Sequence, residues 1–175
     1  MQPDYDLRFG SMAKALSETI IPAIDPSNRS ALEQAHILLG SLEIVRQQID
    51  YAHPFLVADI IDGAQLTRRL AAELGGESAQ AAEMVISAAL AAAEAQAAPL
   101  SALQAANVEL RACLSGLIET AYAGGDETQI AAIQAIVLEG SKGQIARERA
   151  FVAAAGFDVF PESLVSIADA MRAAA

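Results

Sequence analysis

The chain has no tryptophan, one cysteine and two histidines in 175 residues, and aromatic side chains make up only 5% of it. Each scarcity removes a class of function. With so few rings there is no platform on which bases or sugars could stack. The single cysteine, Cys113, excludes an intrachain disulfide and suits a reducing cytoplasm. Basic residues are also few, 11 Lys and Arg against 22 Asp and Glu, for a formal charge of -11. Such a surface repels phosphate backbones and anionic membranes, so neither nucleic acid nor membrane is an expected partner. Arg111 is the only basic residue between Arg69 and Lys142, a stretch that holds Glu77, Glu83, Glu94, Glu109, Glu119, Asp126, Glu127 and Glu139. That acidity aids solubility, and it would also suit a docking face for a basic protein.

Long apolar runs are missing as well. The most apolar stretch, Met84 to Ala93, contains Ser87 and stops at Glu94, too short to cross a bilayer. The segment Met1 to Asp6 is acidic and lacks the basic-then-apolar pattern of a secretory signal. Alternating β-branched runs and Asn-Gly turns do not occur, so strands are not expected.

What remains is helical. Hydrophobic residues are 54% of the chain and recur every three or four positions. The spacing predicts an all-α, up-and-down bundle of about six to seven helices, a single domain over residues 1–175. A first helix over Leu7 to Thr19 should stop or kink before Pro22. Ser30 and Glu33 have the spacing of a capping box for a second helix ending near Ile49. His53-Pro54 opens a third helix. On it Leu56, Ile60, Gly63, Leu70 and Leu74 form the buried side, and Asp59, Asp62, Gln65 and Arg69 the wet side. Gly75-Gly76 ends it. An alanine-rich fourth helix follows, then a fifth whose seam, Leu103, Asn107, Leu110, Leu114, Leu117 and Ala121, alternates spacings of four and three as heptads do. In the sixth, Gly140-Ser141-Lys142-Gly143 marks a break or a close helix contact. A loop holding Phe157 and Phe160 leads to a last helix from Pro161 to about Arg172.

Five features carry possible chemistry. Glu33 and His36, three apart, face the same way on a helix and could hold a cation, as the Glu-x-x-His pairs of di-iron bundles do. Asp50 and His53 repeat the spacing. The two histidines would stand about 25 Å apart along one continuous helix and could not share an ion within one chain. Ser11-x-x-Lys14 matches the bare motif of some acyl-transferring serine enzymes, without its companion elements. Gly140-x-x-Gly143 has the outline of a backbone-clamping loop but neither the sheet nor the charge that such a module needs. Cys113, with no basic neighbour in view, reads as a small buried hydrophobe. The joint around Tyr51, His53, Pro54 and Phe55 gathers aromatic and titratable groups where pockets form.

No cofactor is implied. The sequence points first to a non-enzymatic helical interaction or accessory protein that self-associates, as a homodimer, through Leu103, Asn107, Leu110, Leu114 and Leu117, and that docks a protein partner. The alternative is a bundle holding a metal ion or small molecule, with Glu33, His36 and His53 as metal candidates.

Overall fold

The computed structural model describes residues 4–156 and 158–172. Met1 to Pro3 and Phe157, used in the reading above, lie outside them. The chain is 87% helical, and no strand occurs among the described residues. This is the all-α bundle that the apolar spacing predicts.

Helix α1 (Tyr5–Ala15) starts at Asp4, whose carboxylate accepts a hydrogen bond from Leu7 N at 2.9 Å. It does not stop before Pro22. A π turn (Leu16–Ile20), closed by the Ile21 N–H on Leu16 O, leads into the short α2 (Ile21–Ala23). A proline ring presses on the carbonyl one turn back, and the wider π turn makes room for it. Helix α3 (Arg29–Gln48) is capped by Asn28, whose Oδ1 accepts from Ala31 N at 3.1 Å. The expected Ser30–Glu33 box is not formed, because the helix begins one residue before Ser30. Asp25 shapes the turn ahead of it by accepting from both N and Oγ of Ser27 at 2.8 Å.

A 3-10 turn (Ile49–Tyr51) joins α3 to α4 (Ala52–Leu74). The next joint needs glycine. Gly75 and Gly76 have φ of 69° and 61°, a region closed to most side chains, and they reverse the chain into α5 (Gly76–Glu94). Then come α6 (Leu100–Gly124), α7 (Glu127–Phe151), 3-10 turns at Ala153–Ala155 and Pro161–Ser163, and α8 (Ile167–Arg172). Pro161 therefore opens a single 3-10 turn, and the last helix starts later than the sequence suggests. Helix α7 runs unbroken through Gly140 and Gly143. A Cβ on Gly140 would lie 2.7 Å from Leu66 Cδ1, so this glycine makes room for a side chain of α4.

The sequence reading treats residues 1–175 as one domain. Contacts group them into two compact units, residues 1–51 with 149–167, and residues 52–148 with 168–175. In the first, α1 lies on α3, and Arg46 Nε donates to Asp6 Oδ1 at 2.6 Å. Gln48 Nε2 donates to Phe151 O at 2.6 Å. Arg149 forks onto both carboxylate oxygens of Asp158 at 2.8 Å and donates to Ser163 Oγ.

In the second unit α4, α5 and α6 pack mutually. Ile60, Leu70, Ile86, Leu103 and Leu110 are fully buried between them, joined by Ile133 of α7. Burying each such side chain contributes about 1.5–3 kcal/mol. Among the described residues, no helix is long and apolar enough to cross a membrane.

Candidate binding groove

The second unit carries an apolar groove of about 420 Å³. Residues of α4 four apart supply one wall: His53, Val57 and Ile61, with Pro54 and Ala58 beside them. The end of α5 and the chain leaving it supply the other, Ala93, Glu94, Ala95 and Gln96, and Met171 of α8 completes it. Ile61 is 39% exposed, a large apolar surface left open to water on the inside of a concavity. The volume lies within the range of small-molecule sites, roughly 300–1,000 Å³, which are mostly apolar with a few polar groups.

The polar groups are unbalanced in sign. Helix α5 has no left-handed glycine after it. Ala95 is extended (φ -69°, ψ 113°), and the last residues of α5, Ala93 and Glu94, line this edge. The last four carbonyls of a helix have no partner within it, and they form the negative pole of its dipole. Glu94 adds a carboxylate there. Apart from His53, no basic side chain among the described residues lines the groove, and Arg172, next to Met171, pairs with Asp169 on its own helix.

No known family, curated protein or solved structure matches this chain. Function must be argued from its own residues.

A second polar cluster in the same unit lies across α4, α6 and α7. Asp59 is 4% exposed, and its Oδ2 accepts from Asn107 Nδ2 at 2.6 Å and from Arg111 Nη2 at 2.7 Å. Arg111 reaches on to Glu148 at 3.2 Å, and Gln144 donates to the same carboxylate. The hydrogen bond to Asp59 holds the Arg111 guanidinium above its ordinary value. Next to it Arg147, also 4% exposed, sets Nη2 2.7 Å from Asp62 Oδ2. That contact is an ion pair and not an aligned hydrogen bond, since neither Nε nor Nη2 finds an acceptor in line. Asp59 and Asp62 are therefore not two members of a wet face. Arg111 and Asn107 of α6 hold Asp59 in the interior and Arg147 of α7 pairs with the half-buried Asp62, and the pattern of α4 alone does not reveal those partners. Both carboxylates are engaged by arginine, so the cluster cross-links helices and leaves no free base for acid–base chemistry.

The other sequence candidates are dispersed. Glu33 and His36 are exposed on α3, and His36 Nδ1 lies 2.7 Å from Leu32 O of its own helix. His53 belongs to the groove of the second unit. Among the described residues, no group of three or more His, Cys, Asp and Glu could hold a metal ion. The seam proposed as an interface is interior. Leu103, Leu110 and Leu117 are 0%, 1% and 6% exposed, Leu114 packs against the same core, and Asn107 is bound to Asp59. Heptad spacing reports an apolar stripe without saying whose surface covers it, and here α4 and α5 of the same chain do.

Ser11 Oγ donates to Leu7 O, and Lys14 faces Glu18 at 3.9 Å, so the two do not form a nucleophile and base. Cys113 is partly buried, and burial pushes its thiol up, away from the reactive thiolate. The His53-Pro54 joint does form a pocket wall, though without Phe55. The missed part is Glu94 to Gln96 and Met171. The only signal for it was a helix end lacking a glycine cap.

Proposed function

We propose that this chain is a non-enzymatic helical binding protein that holds an apolar small molecule in the groove between α4 and the end of α5. The observation that carries this reading is the 420 Å³ concavity with Ile61 open inside it. A pre-formed apolar wall spares the ligand most of the ordering cost that a mobile site would impose. The test is amide chemical-shift mapping during titration with 1-hexanol. Shifts confined to residues 53–61, 93–96 and 171, abolished by Ile61→Asp, are expected. Shifts scattered over the surface, or none, would remove the reading.

Self-association is a second reading, moved from the buried seam to another face. Between α6 and α7 a groove of about 280 Å³ is lined by Ile118, Tyr122, Ile133, Gln134, Val137 and Leu138. Leu138 is 72% and Tyr122 52% exposed, an apolar surface that a second copy would cover. A homodimer in the cytoplasm, with a basic protein as further partner for the acidic surface, belongs to this reading. Native mass spectrometry checks it: a dimer that becomes monomeric with Leu138→Glu supports it, and a monomeric wild type rejects it.

A further inference from the structure

We infer that the groove selects a ligand with an apolar body and a positively charged nitrogen head, a protonated primary amine in the simplest case. This rests on the groove reading above and names its ligand class. The apolar part follows from Val57, Ala58, Ile61, Ala93 and Met171, which offer hydrocarbon and a thioether to the body of a ligand.

The charge follows from what stands at one end of that surface. Helix α5 directs its carbonyl pole there, and Glu94 is its final residue. The aligned peptide dipoles place about half a negative charge at a helix C-terminus, so a cation is favoured and an anion disfavoured at the same spot. The Gln96 side-chain carbonyl is one further acceptor in the lining. Among the described residues the His53 imidazole, on the α4 wall, is the groove's one basic side chain; no lysine or arginine lines it, and the arginine next in sequence is held by Asp169. The net charge of -11 adds an attraction of the same sign over the whole molecule. An ammonium at this edge would lie beside the Glu94 carboxylate and the C-terminal end of α5 while its chain covers Ile61.

The test uses three probes of one size, hexylamine, 1-hexanol and hexanoate, titrated into the full chain at neutral pH and low salt. The amine then carries its proton, as a lysine does. Hexylamine is expected to bind about fivefold tighter than hexanol, and hexanoate weaker than either, from a carboxylate and a helix terminus acting together. Added salt narrows the gap. Glu94→Gln, at an exposed position, is expected to lower amine affinity about threefold and to narrow the ratio of amine to hexanol affinity by about the same factor.

The two readings fail differently. Hexanol binding in the groove as tightly as hexylamine, or hexanoate binding best, overturns the amine assignment and leaves the apolar site standing. Amine preference unaffected by Glu94→Gln also overturns it. Failure of all three probes removes the groove as a site.

Discussion

Replacing Gly140 with alanine tests how closely α7 lies on α4. The new Cβ would come within 2.7 Å of Leu66 Cδ1, 3.4 Å of its Cγ and 3.5 Å of its Cβ. Leu66 is 5% exposed and has little room to turn away. Two effects oppose each other. Alanine in a helix interior is favoured over glycine by about 1 kcal/mol. Crowding an already filled core costs about 1–3 kcal/mol. The net expectation is a loss of about 1 kcal/mol, with crowding the larger effect.

The sign reverses when Leu66 is shortened. Leu66→Ala alone costs about 2–5 kcal/mol and leaves a void beside Gly140. In that background the Gly140→Ala methyl enters empty space and recovers about 1 kcal/mol. The two substitutions are therefore coupled by about 2 kcal/mol, far above the scatter between independent sites. Urea unfolding followed by far-UV circular dichroism on the four proteins, with the dependence on urea checked to be equal, measures this directly. If Gly140→Ala has the same effect in both backgrounds, within about 0.5 kcal/mol, the helices do not approach as described and the glycine is there for another reason.

Other consequences are open to simpler tests. Arg111→Ala should destabilise more than Asp59→Ala, about 3–5 against about 2 kcal/mol, because the first strands a buried carboxylate while Arg111, half exposed, turns to water; equal losses in urea melts would argue against a buried Asp59. Arg149 and the Phe160 N–H hold the Asp158 carboxyl at about 2, below its ordinary 3.8. This group binds its proton less readily when folded, so its contribution is complete above about pH 4 and is lost as pH falls through 2; Asp158→Asn should flatten that part of an acid titration of stability. The Cys113 thiol, pushed up by burial, should react with a disulfide reagent more slowly than a cysteine in a short peptide, and urea should abolish the difference.

The sequence discloses the helices because their signals are local. Apolar spacing and Gly75-Gly76 act within one or two turns of where they stand, and the helices follow them closely, whereas α3 is capped by Asn28, two residues ahead of the expected Ser30. Misreadings arise where a partner far along the chain decides the outcome. Asp59 has a wet-face position by period, but Asn107 and Arg111, 48 and 52 residues on, make its burial tolerable. Leu110 gives a heptad signal whether it meets α4 or a second copy. Gly140 reads as a break or as a close contact until Leu66 beside it decides for the contact. The groove was half visible at His53-Pro54. Its other half depends on where α5 ends and on Met171, whose neighbours in sequence give no hint of its place in the wall.

The contribution of α8 also sets an order of assembly. The second unit takes its last segment from residues that follow the whole of the first unit. During synthesis the ribosome releases α4 to α7 and then the segment that completes the first unit, and only afterwards Met171. Domains fold as they emerge, so the core of α4, α5 and α6 forms while the Met171 side of the groove is still unmade. Binding competence is thus acquired only after α8 has been made, and shortening the chain ahead of α8 should cost ligand affinity well before it costs the fold.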